Sequence, residues 1–148
     1  MHRPRLATLA MAAVLFLPLT ASAEDMGYGV VTPEKLVWGL LDPKAPEGIQ
    51  LAVLYGDPSK PGPFGIRAKF PAGLEVASHT HSNDEYITIV SGKAMVSWGI
   101  KTDIASGDTL EPGTFFWLKG GQHHTFKAVE ETVLEVHSTG PFDVVLDK

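Results

Sequence analysis

Short apolar runs alternating with turn chemistry constrain this chain more than any other feature. Between Ile49 and Asp147, runs of five to eight residues recur nine times: IQLAVLYG, FGIRAKF, LEVASH, EYITIVSG, KAMVSWGI, TFFWL, HHTFKA, TVLEVHS and FDVVLD. Many carry β-branched or aromatic side chains, which suit a pleated, half-buried surface. The connectors DPSKPGP, PAG, SG, ASGD, EPG and KGG are rich in proline and glycine, which fit turns and cannot continue a helix. Several runs alternate with period two. Phe64, Ile66, Ala68 and Phe70 fall on one face, with Arg67 and Lys69 on the other; Ala94, Val96, Trp98 and Ile100 share a face. A single apolar face at that period means sheets with one buried side. No stretch offers an amphipathic helix of normal length. The expected fold is all-β, a small antiparallel sandwich or barrel.

The first 23 residues are read separately. Arg3 and Arg5 precede an apolar run from Leu6 to Leu19, and Ala21-Ser22-Ala23 follows as a small-x-small cleavage signal. The run is about fourteen residues and holds Pro18, short of the roughly 20 that a spanning helix needs. Residues 1–23 therefore read as a cleaved export signal, which implies a periplasmic or secreted protein with no membrane attachment after cleavage. Residues 24–48, with Pro33, Pro43 and Pro46, read as an extended arm that lays Trp38 and Leu40 onto the domain. Residues 49–148 form the barrel.

Cleavage leaves 148 − 23 = 125 residues, enough for one domain with its own core. It removes two arginines and no acid, so the formal charge becomes (12 − 2) − 17 = −7. That balance argues against nucleic acid or an anionic membrane as a partner. With no cysteine in the chain, disulfides, thiolate metal sites and cysteine nucleophiles are excluded.

Five histidines remain: His79, His81, His123, His124 and His137. His79 and His81 are two apart, so on a strand they emerge from one face within chelating reach. Glu85 follows across Ser82-Asn83-Asp84, a turn-forming stretch that can return its carboxylate beside the imidazoles. Two neutral imidazoles and a carboxylate make a metal site with open positions. The alternative is a pair of surface histidines at a polar turn. Glu135 and His137 also share a face. If that face lines the interior they supply an acid/base pair, and with Glu85 they are the catalytic candidates; the competing face, Thr132, Leu134 and Val136, is the more apolar. Tyr86 and Arg67 are read either as anion-binding groups or as outer-face polarity, and Phe115, Phe116 and Trp117 as core and edge packing.

The hairpin resembles the first motif of the cupins: Gly73, His79, His81, Glu85 and Gly92 match it in type and spacing. Gly113, Gly121 and His124 are similar to the second motif, with Lys119 where proline is usual and Ala128 where asparagine is usual. The resemblance spans about residues 50–145 and lies nearest to small single-domain bacterial cupins of the ChrR-like branch. It implies a jelly-roll barrel holding one divalent metal through His79, His81, Glu85 and His124. His123, next to His124, then points the opposite way. The donors suit Mn, Fe, Co, Ni or Zn, and an exported setting favours Mn or Zn over Fe(II).

Two functions follow from that resemblance. One is a metal-dependent enzyme of oxygenase or isomerase type acting on a small molecule. The other is a non-catalytic module that binds or senses metal or a small ligand; a structural barrel with a vestigial site is a third, weaker reading. Many small cupins pair through their outer sheets, so the resemblance gives a homodimer as a family-level expectation.

Overall fold

The computed structural model describes residues 28–40 and 48–147. The expected export signal and the rest of the arm, 24–27 and 41–47, lie outside the described residues. Eleven strands are present among the described residues: β1 (Gly39–Leu40), β2 (Gln50–Tyr55), β3 (Gly62–Phe70), β4 (Glu75–Thr80), β5 (Glu85–Ser91), β6 (Ala94–Trp98), β7 (Asp108–Leu110), β8 (Phe115–Leu118), β9 (His124–Ala128), β10 (Thr132–Gly140) and β11 (Val145–Leu146). They form two antiparallel sheets, in the orders β1-β2-β3-β10-β5-β8 and β11-β4-β9-β6-β7. One core joins them, so the fold is a jelly-roll barrel. Phe64, Ile66, Ile87, Ile89, Leu134 and Val136 enter that core from the first sheet, meeting Ala94, Val96, Leu110, Phe126 and Ala128 from the second.

The period-two pattern positions most of these side chains. In β3, Phe64, Ile66 and Ala68 are buried and Arg67 faces out; β3 pairs with β10 over nine residues, from Gly62 opposite Gly140 to Phe70 opposite Thr132. The pattern fails at the end of β6. Ala94 and Val96 are fully buried, but Trp98 is 38% exposed and Ile100 58%. The strand stops at Trp98, and Gly99 (φ +105°) and Lys101 (φ +52°) turn the chain away. Trp98 instead lies at the barrel mouth, edge-on to Phe116 at 6.0 Å, with Nε1 donating to Asp108 Oδ2 at 2.9 Å. Two further departures from the sequence reading are strand lengths. The three-residue β7 has too little apolar periodicity to be seen, and only Val145 and Leu146 of FDVVLD enter a ladder.

Both glycines bounding the His-x-His hairpin have left-handed backbone, Gly73 at φ +81° and Gly92 at φ +82°. They serve different needs. A Cβ on Gly73 would meet nothing within 4 Å, whereas one on Gly92 would lie 2.1 Å from the Glu131 carbonyl. Gly73 is a turn requirement; Gly92 is also a close approach of two chain segments.

The arm packs as expected at Trp38. Gly39 and Leu40 pair with Leu51 and Gln50 of β2, and the Lys69 ammonium lies 4.3 Å from the centre of the Trp38 ring, a cation–π contact.

Candidate metal centre

His79 sits in β4, His81 one residue beyond its end, Glu85 at the start of β5 and His124 at the start of β9. A register shift in the β4–β9 ladder between Val76 and His79 sets His79 directly opposite His124. The three imidazoles converge: ring centres are 4.9 Å apart for His79 and His81, 4.1 Å for His79 and His124, and 5.3 Å for His81 and His124. Each offers a ligand nitrogen, and the three nitrogens lie within 4.8 Å of one another. All three residues are buried, as is Glu85 at 2% exposure.

The two hairpins that carry these residues are tied directly. The Gly121 N–H donates to the His81 carbonyl at 2.8 Å, and Asp84 accepts from the Gly120 N–H and from Lys119. Lys119, standing where the cupin motif has proline, thus forms an exposed pair with Asp84 at 2.7 Å. Solvent screening leaves exposed pairs of that kind contributing little to stability.

Hydrogen bonding decides which nitrogens are available. Each Nδ1 faces a backbone carbonyl: Ala77 for His79 at 2.8 Å, Gln122 for His124 at 3.1 Å and Asp143 for His81 at 2.6 Å. A carbonyl can only accept, so each Nδ1 carries the proton and each Nε2 presents its lone pair to the common centre. Glu85 approaches the same centre, its Oε2 3.2 Å from His81 Nε2. That atom pair lies within ion-pair distance, yet Glu85 Oε2 is buried and has no hydrogen-bond partner. With the His81 proton on Nδ1, Nε2 offers only a lone pair and has no N–H to donate to Glu85 Oε2. The Glu85 carboxylate stands outside the tight three-nitrogen set and joins it through His81.

Burial leaves the site without charge of its own. It pushes the His81 imidazole down to about 4 and the His124 imidazole down to about 3, and it lowers His79 as well. The same burial, aided by the Asp143 carboxylate, pushes Glu85 up to about 8. Near neutral pH the His81–Glu85 contact is therefore a neutral pair and not a salt bridge. Three oriented lone pairs and an orphaned buried carboxyl fit a divalent cation, which would supply the countercharge that lets Glu85 ionise.

His123 points the other way, to Asp147 at 2.9 Å. Glu135 and His137 do not reach the centre. Thr132, Leu134 and Val136 take the interior face of β10, and Glu135 and His137 lie on the outer face of the sheet. There Glu135 accepts from Arg67 at 2.9 Å and lies 3.1 Å from His137 Nε2, while Tyr55 meets His137 Nδ1 at 3.0 Å. The condition that would make them an acid/base pair for the site is not met, because the more apolar face of β10 won the core. Tyr86 shares this outer face and is exposed, and Arg67 is engaged with Glu135. Phe115 and Trp117 of the edge strand β8 are exposed, at 55% and 62%.

Two features of the site escaped the sequence reading. Phe142 stacks on the His81 ring with centres 5.2 Å apart, and Asp143 supplies the carbonyl for His81 Nδ1. Both belong to a run read only as a strand, and nothing in its local pattern signals a contact with His81. A groove of about 310 Å3, lined by Trp98, Trp117, Leu118, Lys119 and Gln122, opens beside the site. It abuts the candidate ligands through Leu118, opposite Glu85, and Trp98, opposite His124.

Comparison with known proteins agrees with this architecture. Residues 25–145 match the family described as "Domain of unknown function (DUF4437)". No curated protein matches the sequence. The fold is similar to KdgF from Halomonas sp., with TM-score 0.58 and 21% identity over 76% of this chain and 94% of that one. It is similar to an RmlC-like cupin from Ralstonia eutropha JMP134, with TM-score 0.62 and 18% identity over 80% of this chain and 73% of that one. A salicylate 1,2-dioxygenase variant from Pseudoaminobacter salicylatoxidans, in complex with gentisate, gives TM-score 0.56 and 15% identity over 70% of this chain and 31% of that one. The chain has the fold of the cupins it resembles, and it belongs to the family described as Domain of unknown function (DUF4437).

Proposed function

We propose that the protein is exported, that it holds one divalent metal through His79, His81, His124 and Glu85, and that the loaded centre is a metal-dependent enzyme of oxygenase or isomerase type acting on a small molecule. One observation carries the metal reading: three buried imidazoles each spend Nδ1 on a carbonyl and bring their free nitrogens within 4.8 Å of one another, beside a buried carboxyl oxygen that has no partner. Mn, Fe, Co, Ni and Zn all suit three nitrogens and one carboxylate. A bound ion of this kind polarises an oxygen-bearing substrate or acidifies water. The chain's own contributions are orientation of the donors, exclusion of water by burial, and a carboxyl that gives up its proton when the ion arrives. The Trp98–Trp117 groove is the route by which a small molecule with apolar surface would reach the centre. A structural neighbour that holds gentisate supports a small-molecule substrate.

Elemental analysis of protein purified from its native compartment tests the reading. About one equivalent of a divalent metal is expected, and its absence would sink the proposal. The near-complete burial of all four residues favours a second reading, a module that binds or senses metal without turnover. Azide added to Co(II)-substituted protein separates the two. A changed visible spectrum shows an accessible coordination position, as catalysis requires, and an unchanged spectrum supports the binding module.

A further inference from the structure

The three Nδ1 locks are not equivalent. His79 and His124 each use the carbonyl two residues earlier in their own segment, so those bonds form wherever the strand forms. His81 uses Asp143, 62 residues away in sequence. We infer that Asp143 is the positioning residue of the metal centre, holding the His81 ring in the orientation and tautomer that make it a ligand. This rests on the metal reading above.

The geometry is a clamp. The Asp143 carbonyl accepts from His81 Nδ1 at 2.6 Å, while its carboxylate accepts from the next residue twice, from the Ser82 N–H at 2.8 Å and the Ser82 hydroxyl at 2.5 Å. Two consecutive residues of the ligand hairpin are thus gripped by one residue of the C-terminal segment. The segment is anchored on both sides of Asp143. Phe142 donates its N–H to the Pro58 carbonyl at 2.7 Å, packs edge-on to Phe64 and stacks on His81. Val145 and Leu146 pair with Thr80 and His79, and Asp147 accepts from Ser78 and contacts His123.

Removing the clamp has a defined chemical consequence. Once Ser82 no longer fixes the Asp143 carbonyl at Nδ1, the His81 proton can move to Nε2, which already lies 3.2 Å from Glu85 Oε2. His81 and Glu85 would then satisfy each other by a hydrogen bond, and a ligand lone pair would be lost.

The test compares wild type with Asp143→Ala, Asp143→Asn and Ser82→Ala. Zn(II) affinity is read by competition with a chromophoric chelator, and the His81 tautomer by 15N NMR of metal-free protein. Asp143→Ala keeps the backbone carbonyl but unties it from Ser82, so Zn(II) should bind about tenfold more weakly, the low end of the cost of disturbing an outer hydrogen-bond partner of a ligand. Its His81 should shift toward the Nε2–H form. Asp143→Asn, which can still pair with both Ser82 groups, should restore both readouts. If Asp143→Ala does not fold, Ser82→Ala decides, with a smaller fall expected. Wild-type affinity and an Nδ1–H His81 in the alanine variant would overturn the inference alone. A wild type that binds no Zn(II), Co(II) or Mn(II) would overturn the metal reading and this inference with it.

Discussion

At the scale of single residues, Glu85 governs the chemistry. Its carboxyl is held at about 8 by burial, and the nearby imidazoles stay neutral far below their usual range. Metal binding below pH 8 must therefore expel a proton from Glu85 and almost none from His81 or His124. Calorimetry at pH 7 in buffers of different ionisation enthalpy should show about one proton released per ion, falling toward zero near pH 9.5. Two released protons at pH 7 would mean that a histidine is also charged in the free protein. Glu85→Gln keeps the shape and removes the charge, so metal occupancy should drop at least tenfold while the fold persists. By contrast, Glu135→Gln and His137→Ala alter only the outer face of the sheet, and Zn(II) affinity should stay within twofold of wild type. The spacing of the candidate ligands was legible at this scale because strand periodicity is local. The fate of Glu135 and His137 was not, because which face of β10 turns inward depends on β3 and β5 beside it.

The strand and turn scale is where the two motif glycines separate. Gly73 and Gly92 share a left-handed backbone, but only Gly92 has a carbonyl 2.1 Å from where a Cβ would stand. Gly73→Ala should cost about 1 kcal/mol, the strain of a positive φ. Gly92→Ala adds a backbone displacement and should cost at least about 3 kcal/mol, read from urea midpoints. Equal losses would show that the Glu131 segment yields freely. Alternation predicted the inward rows of β3 and the burial of Ala94 and Val96, yet it overran at Trp98 and Ile100. Periodicity persists in sequence after Gly99 has bent the chain, so a pattern read along the chain cannot see the corner.

For the whole molecule, burial of the site sets the pH dependence of metal-free stability. The histidines have folded values of about 3 and 4 against an ordinary 6.5, so their contribution to stability grows as pH rises toward 6.5 and is level above it. Glu85 has a folded value of about 8 against an ordinary 4.5, so its contribution declines as pH rises from 4.5 to 8. Between 4.5 and 6.5 the histidines outnumber the single carboxyl; between 6.5 and 8 the carboxyl acts alone. The melting temperature of metal-free protein should therefore peak near pH 6.5 and fall toward pH 8. Saturating Zn(II) should remove the alkaline decline. A metal-free melting temperature that climbs steadily to pH 8 would show that Glu85 is ionised in the folded state.

What the sequence determined by itself is everything that depends on near neighbours: the alternation that builds two half-buried sheets, the turns at glycine and proline, and the shared face of His79 and His81. The tertiary structure alone decided the rest. It set His124 opposite His79 through the register of β4 on β9, buried Glu85 deeply enough to keep its proton, and brought Asp143 to His81 from 62 residues along the chain. Backbone periodicity extends over a few residues, whereas burial and register are set by strands that meet only when the barrel closes.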